Sequence, residues 1–262
     1  GASAAVLAGW DVHALSGGTN NFGASPLAAS TAAANLTVGG LTRGSGVGTT
    51  GTAASRGWGG TDWVATSAAA AITAGDVVSF TLTASAGYQL SLGAVSRLDY
   101  RRSSAGAVNG VLQYQLGAGA FVDVASFSYP STSSAGASVA AVDLSTVAAL
   151  QNVPAGTVVT LRLVNFGASG AGGTWYLFDT LNTTAADLEV SGTVASSGPP
   201  VNGACGAAQG LTFPQAPAAK LCAVGAASAV SGGSAWGWTC AGSSGGQAAS
   251  CTAASSAETG CQ

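Results

Sequence analysis

The chain holds one histidine, and an acid stands two residues before it: Asp11 and His13 in GWDVHAL. A nucleophilic triad needs a base, a group that orients it, and a hydroxyl within reach. If this stretch is extended, Asp11 and His13 share a strand face, and serines are plentiful. No G-x-S-x-G elbow is present, so the histidine reads as an edge or exposed residue and no catalytic residue is assigned.

Glycoside cleavage needs two carboxylates flanking one bond. Asp187 and Glu189 fall on one strand face, with Asp179 on the preceding strand. Their reading is a solvated face beside a loop. The same acids with Asn182 offer oxygen ligands of the kind Ca²⁺ takes, but no D-x-D-x-D-G loop accompanies them. Thr42–Thr52 and Gly167–Gly173 are Gly-rich, yet neither ends in the lysine of a phosphate loop. No metal and no cofactor is implied.

The aromatic and basic residues form a second group of candidates. RGWGGTDW, Arg56 to Trp63, packs two of the six tryptophans among glycines. Trp58, Trp63, Tyr100, Trp175 and Tyr176 are candidate rings for a ligand or an assembly contact. Arg56 and Asp62 would supply polar contacts. Arg101 and Arg102 follow Tyr100 and suit a partner carboxylate or an acidic sugar. The competing reading makes RGWGGTDW a tight corner. Arg56 would then stack on Trp58, Trp63 would open the next strand, and the glycines would permit close backbone approach.

Five cysteines, Cys205, Cys222, Cys240, Cys251 and Cys261, all lie in the last fifth of the chain. They lack the paired C-x-x-C knuckles of a zinc site, so disulfides in an oxidising compartment are expected. Cys205, Cys222, Cys240 and Cys251 can pair among themselves. Cys240 and Cys251 flank a loop, Cys205 and Cys222 could pair likewise, and three connectivities are open. Cys261 is left over as a candidate for an intermolecular bridge. Trp236 and Trp238 share a strand face with Cys240 and should pack on its disulfide.

These residues must be positioned by strands. DVVSFTLTA, Asp76 to Ala84, alternates apolar and polar. Tyr88–Arg102 is long enough to need a bend near Gly93. VLQYQLG and AFVDVASFSY flank the turn Gly117–Ala120 as a hairpin. A short helix is expected at Ser145–Val153, capped by Ser145 and ended by Pro154. The pattern predicts an all-β chain: a β-sandwich or jelly-roll-like domain over 1–195, a Pro/Gly/Ser linker over 196–204, and a small disulfide-stapled β module over 205–262. A module of that size needs staples, because its own core is small.

Composition narrows the class further. Charged residues are 6% of the chain and the formal net charge is −3, against roughly 25% charged in an ordinary domain. That excludes a basic nucleic-acid face. No apolar run is long enough to span a membrane as a helix. The absence of methionine and the small residues of GASAAVLAGW suggest a start left by signal-peptide removal. Lys220 is the only lysine, so the sandwich cannot form a Lys–Asn isopeptide bond.

AGDVVSFTLTASAGYQLSL, RLDYRRSSAGAVNGVLQYQLGAGAFVDV and GGTWYLFDTLN…DLEVSGTV resemble β-sandwich modules of secreted bacterial surface proteins of the PEP-CTERM-like sorted kind. NGACGAAQG…KLCAVGAASAVSGG…WGWTCAGSSGGQAASC resembles a small four-cysteine module found near the C-terminus of such proteins. The resemblance implies an extracellular or cell-surface place and carries over no catalytic residue. No sorting tail is visible in this sequence.

Two functions follow as expectations. The first is a non-enzymatic structural or adhesive surface protein that partners with itself as a homo-oligomer or polymer, in a filament, sheath or array. Its apolar stretch Ala4–Val12 would complete a sheet in its own domain or a neighbour's. The second is a lectin-like, carbohydrate-binding attachment module with polysaccharide as partner.

Overall fold

A computed structural model describes residues 4–256; Cys261, the candidate intermolecular bridge, lies outside them. The chain divides into two compact units at Ala195/Ser196, with the turn Ala86–Tyr88 grouped with the second.

The first unit is a two-sheet sandwich. Its longer strands are β1 (Ala5–Trp10), β2 (Leu36–Val38), β3 (Gly57–Gly60), β4 (Val77–Ala84), β5 (Tyr88–Arg102), β6 (Asn109–Leu116), β7 (Val122–Ser128), β8 (Val159–Phe166), β9 (Trp175–Phe178) and β10 (Leu188–Ser196). One sheet runs β1-β10-β5-β9-β3, and the other runs β7-β6-β8-β4-β2. Ala137–Ser138, Val142–Asp143 and Val153–Pro154 also pair antiparallel with β5. The path goes from β1 to β4 to β5, then to the β6–β7 hairpin, back to 137–154, and on through β8 to β10. Successive longer strands alternate between the sheets except within the β6–β7 hairpin, the 137–154 segments and the β9–β10 step, a winding like that of a jelly roll.

Alternation decides which residues face inward. In β4 every second residue is buried: Val78, Phe80, Leu82 and Ala84. In β5 the alternation changes phase between Leu92 and Val95, around the Gly93 where a bend was expected. A chain of small side chains must close the ~10 Å gap between sheets with its few rings. Trp10 tilts against Phe80 at 4.6 Å across the two sheets. Trp63 meets Trp175, and Tyr129 touches both Trp175 and Tyr100. Burying a Trp or Tyr removes ~150–250 Å² from water, so each contributes far more than an alanine.

The helix lies elsewhere than expected. Residues 145–153 form only a 3₁₀ turn at Ala148–Leu150. The Ser145 hydroxyl donates to Asp143 at 2.6 Å instead of capping a helix. An α-helix, α1 (Ala68–Ala74), forms where none was expected. Ser67 accepts the Ala70 N–H as its N-cap, and Gly75 ends it at φ 86°. The strand that Trp63 would open does not form: residues 61–67 are mostly irregular.

The second unit holds β11 (Ala204–Cys205), β12 (Thr212–Phe213), β13 (Cys222–Val224), β14 (Ala235–Cys240) and β15 (Ala249–Ser255). β12, β15 and β14 form one sheet, and β11 and β13 pair beside it. The four cysteines do pair among themselves, as Cys205–Cys251 and Cys222–Cys240. Local pairing of Cys205 with Cys222 and of Cys240 with Cys251 is therefore wrong. β14 and β15 place Cys251 opposite Trp238, not opposite Cys240, so each bridge staples a different strand pair. Trp238 packs with Cys240 and Cys251, and Trp236 flanks them.

Trp175→Ala in the sandwich should cost about 3–5 kcal/mol, read as a lower urea midpoint at unchanged slope. Peptide mapping without reductant should recover the nested pairs Cys205–Cys251 and Cys222–Cys240. Removing Cys205–Cys251, which spans 46 residues, should destabilise the module by about 4 kcal/mol, and removing Cys222–Cys240, spanning 18, by about 3 kcal/mol in the chain-entropy account.

Candidate functional site

Most of the sequence candidates lie on or beside β5, β9 and β3, which run side by side in the first sheet. β9 sends Trp175 and Leu177 toward the sheet interface, so Tyr176 and Phe178 turn outward. They are still buried, because the segments bearing Phe22 and Ala53 cover them. Phe22 stacks on Tyr176 at 5.9 Å with the rings nearly parallel. β3 lies against β9 with Gly57 opposite Phe178 and Gly59 opposite Tyr176. A Cβ on Gly57 would press on the Tyr176 ring at 3.2 Å, and one on Gly59 would strike the Trp175 carbonyl. The glycines of RGWGGTDW are thus packing residues.

This corrects the aromatic platform. Trp58 and Trp63 have no exposed surface, and Tyr100, Trp175 and Tyr176 have 3% or less. None can stack on a sugar or on a neighbouring subunit without unfolding. Trp58 donates its Nε1–H to the Ala24 carbonyl, and Trp63 donates to Gly60. The expected Arg56–Trp58 stack is absent. Arg56 adopts φ 56°, outside strand alternation, and its guanidinium lies over Phe178 at 5.4 Å. Arg43 takes the Trp58 face at 4.4 Å. It also donates to the carbonyls of Gly59, Gly23 and Phe22. Burial lowers its pKa to about 10. Asp62, at φ 67°, accepts from the Thr61 hydroxyl.

The acids form a buried network rather than a solvated face. Asp99, Asp179 and Asp187 are each 1% exposed or less. Asp179 follows β9 and accepts from the His13 ring at 2.8 Å and from the N–H groups of Asn182 and Thr183. Arg56 stands 3.6 Å from the same carboxylate. Burial alone would raise the Asp179 pKa, but these donors and Arg56 outweigh it and hold the group below its ordinary value. Asp99 accepts from Arg97, Thr180 and Ser138. Asp187 accepts one N–H, from Val12. Burial first, then its neighbours Asp179 and Asp99, push its pKa up to about 7. Glu189 accepts from Ser96.

Chemically, this network ties loops together. Asp11 accepts the His13 backbone N–H, so the acid that orients the imidazole is Asp179, from the other end of the chain. No hydroxyl among the described residues bonds that imidazole, and a triad is not assembled. Asp179 and Asp187 titrate apart in the manner of an acid–base pair, but both are enclosed and neither faces a cleft. Among the described residues, the only His, Cys or acid groups close enough to share a metal ion are Cys205, Cys240 and Cys251, all in disulfides.

One open feature remains on this face. A polar cleft of about 470 Å³ is lined by Arg101, Tyr176, Thr52, Ser55, Thr132 and Ser134, among others. Arg101 lies opposite Tyr176 in the β5–β9 pairing, with its guanidinium 5.2 Å from the Phe178 ring. Arg102 is buried and donates to the carbonyls of Tyr129, Ser103 and Ser104, so its donors are taken. Its role as a ligand contact is corrected to a structural one.

Against protein-family models, curated proteins and solved structures the chain has no match.

The raised Asp187 carboxyl gives a signed prediction. Its folded pKa of about 7 exceeds the unfolded value of about 4. The folded state therefore binds more protons between those values, and stability falls as pH rises through that window. Asp179 acts oppositely, and its contribution is lost only as pH falls below about 4. Urea midpoints of wild type and Asp187→Asn, compared from pH 4 to 8, should diverge with rising pH, with the Asn variant more stable at pH 8.

Proposed function

We propose that this chain is an extracellular structural or adhesive surface protein whose copies associate through neutral faces into a filament, sheath or array. The observation that carries this is where the few charges lie. Asp76, Asp99, Asp179, Asp187 and Arg102 are buried, and Arg43 spends its donors inside. The surface is therefore still poorer in charge than the 6% of the whole chain, which leaves little repulsion to keep copies apart.

Two details give the association a form. β7 is the outer strand of its sheet and reads VDVASFS, with neither lysine nor proline to blunt an edge. Its Val122 is exposed. β1, by contrast, pairs with β10 within its own domain, so this reading does not call on strand donation. Two disulfides suit an oxidising exterior. Cys261 is the cysteine of this sequence outside those two bridges and would link neighbouring copies.

Sedimentation velocity, negative-stain microscopy and non-reducing gels on the native protein test this. Multimers that persist in 1 M salt are expected, since neutral contacts are not screened. A monomer at every concentration, with no intermolecular disulfide, would sink the proposal.

The second reading is a carbohydrate-binding attachment module. The polar cleft at Arg101 favours it, in place of the buried rings.

A further inference from the structure

We propose that the cleft above Tyr176 binds a carboxylate-bearing sugar residue of the uronic acid type, with Arg101 gripping the carboxylate. The inference rests on the attachment reading and supplies its ligand class.

Arg43 and Arg102 donate to main-chain carbonyls. Arg97 is bonded to Asp99, Arg162 to Gln113, and Arg56 stands beside Asp179. Arg101 alone has no hydrogen-bond acceptor and no acid partner among the described residues. Arg101 is partly buried, and this chain otherwise pairs or sheathes its arginines. The Phe178 ring beside Arg101 holds the guanidinium by a cation–π contact. That contact supplies no acceptor oxygen, so the guanidinium N–H donors remain for a planar, two-oxygen acceptor.

The cleft then selects among anions. Its volume, about 470 Å³, lies within the range of roughly 300–1,000 Å³ for small-molecule sites. Thr52, Ser55, Thr132, Ser134 and Thr174 line it, and each hydroxyl both donates and accepts. Such a wall matches the hydroxyls of a sugar ring. The other cation in the lining, Arg102, has its donors filled. One available positive charge matches a monoanionic carboxylate better than a phosphate dianion. Tyr176 is too buried to be a stacking platform, so recognition here is polar.

Titration calorimetry of the full chain with trigalacturonate, and with its fully methyl-esterified form, tests the proposal. The acid should bind. The ester, which keeps the rings and loses the charge, should bind at least tenfold more weakly. Arg101→Ala should weaken the acid by about 10- to 100-fold, the range expected for hydrogen bonds to a charged group. Arg101→Lys should restore only part of the loss, because lysine lacks the fork. Circular dichroism and urea midpoints would establish that both variants are folded. Equal binding of acid and ester would overturn the inference while leaving an attachment role standing. So would equal binding of inorganic phosphate or of a glutamate-rich peptide, which would mark a generic anion site. No binding of acid, ester or an array of neutral glycans would remove the attachment reading as well.

Discussion

The constraint on which the rest of the structure depends is volume. Two sheets about 10 Å apart must be filled by a chain dominated by alanine, glycine, serine and threonine. Few residues can do it, so the large rings are buried: Trp10, Trp58, Trp63, Trp175, Tyr100 and Tyr129 are fully or nearly fully enclosed. Their polar handles are mostly met locally, as Trp10 donates to Leu27 and Trp58 to Ala24. The same constraint explains the glycines of β3. Rings that turn outward from β9 must also be covered, and only a strand without side chains there can lie so close to them.

Charge follows a parallel economy of placement. With so few charged groups, those present hold the long loops in place. Asp179 gathers the chain after β1 through His13 and the chain before β3 through Arg56. Asp99 gathers the 137–142 segment through Ser138 and the 179–187 loop through Thr180. Arg43 clamps three carbonyls around Trp58. Each of these joins residues far apart in sequence, and the Asp99 and Asp179 carboxylates are desolvated, so removing their donors leaves a buried charge unpaired. Asp187 is the exception in this scheme. It has one backbone donor and two acidic neighbours, which is why its carboxyl prefers the proton.

What could be read in advance follows from the range of the interaction. The alternation in β4, the β6–β7 hairpin, the change of phase in β5 and the four-cysteine module are local patterns, and local patterns are legible. The helix at 68–74 was legible too. Ser67, a run of alanines and Gly75 are a cap, a body and a stop, but the alanines masked it as one more small-residue stretch. Disulfide pairing was not legible, since it depends on which strands neighbour each other. Nor was the partner of His13, which lies 166 residues away. Arg97 and Asp99, two apart in one strand and opposite in charge, were the one sequence signal of the buried network. The rings of RGWGGTDW invited a sugar platform because tryptophan between glycines looks exposed in a sequence. In this fold the glycines are what make the burial possible.

Phe178 shows how one face can both lock a fold and keep a site open. Arg56 and Arg101 both lie within 5.4 Å of its ring centre, and the ring is itself buried. Arg56 is committed because Asp179 is within reach of it. Asp179 is in turn occupied by His13 and two backbone N–H groups, so it cannot also serve Arg101. The acids on the other side of this network, Asp99 and Glu189, are bonded to Arg97, Thr180 and Ser96. The local supply of carboxylates is therefore used up before it reaches the cleft. A chain that elsewhere buries or pairs its cations leaves this one at the rim of a hydroxyl-lined hollow, where the proposed carboxylate would complete it.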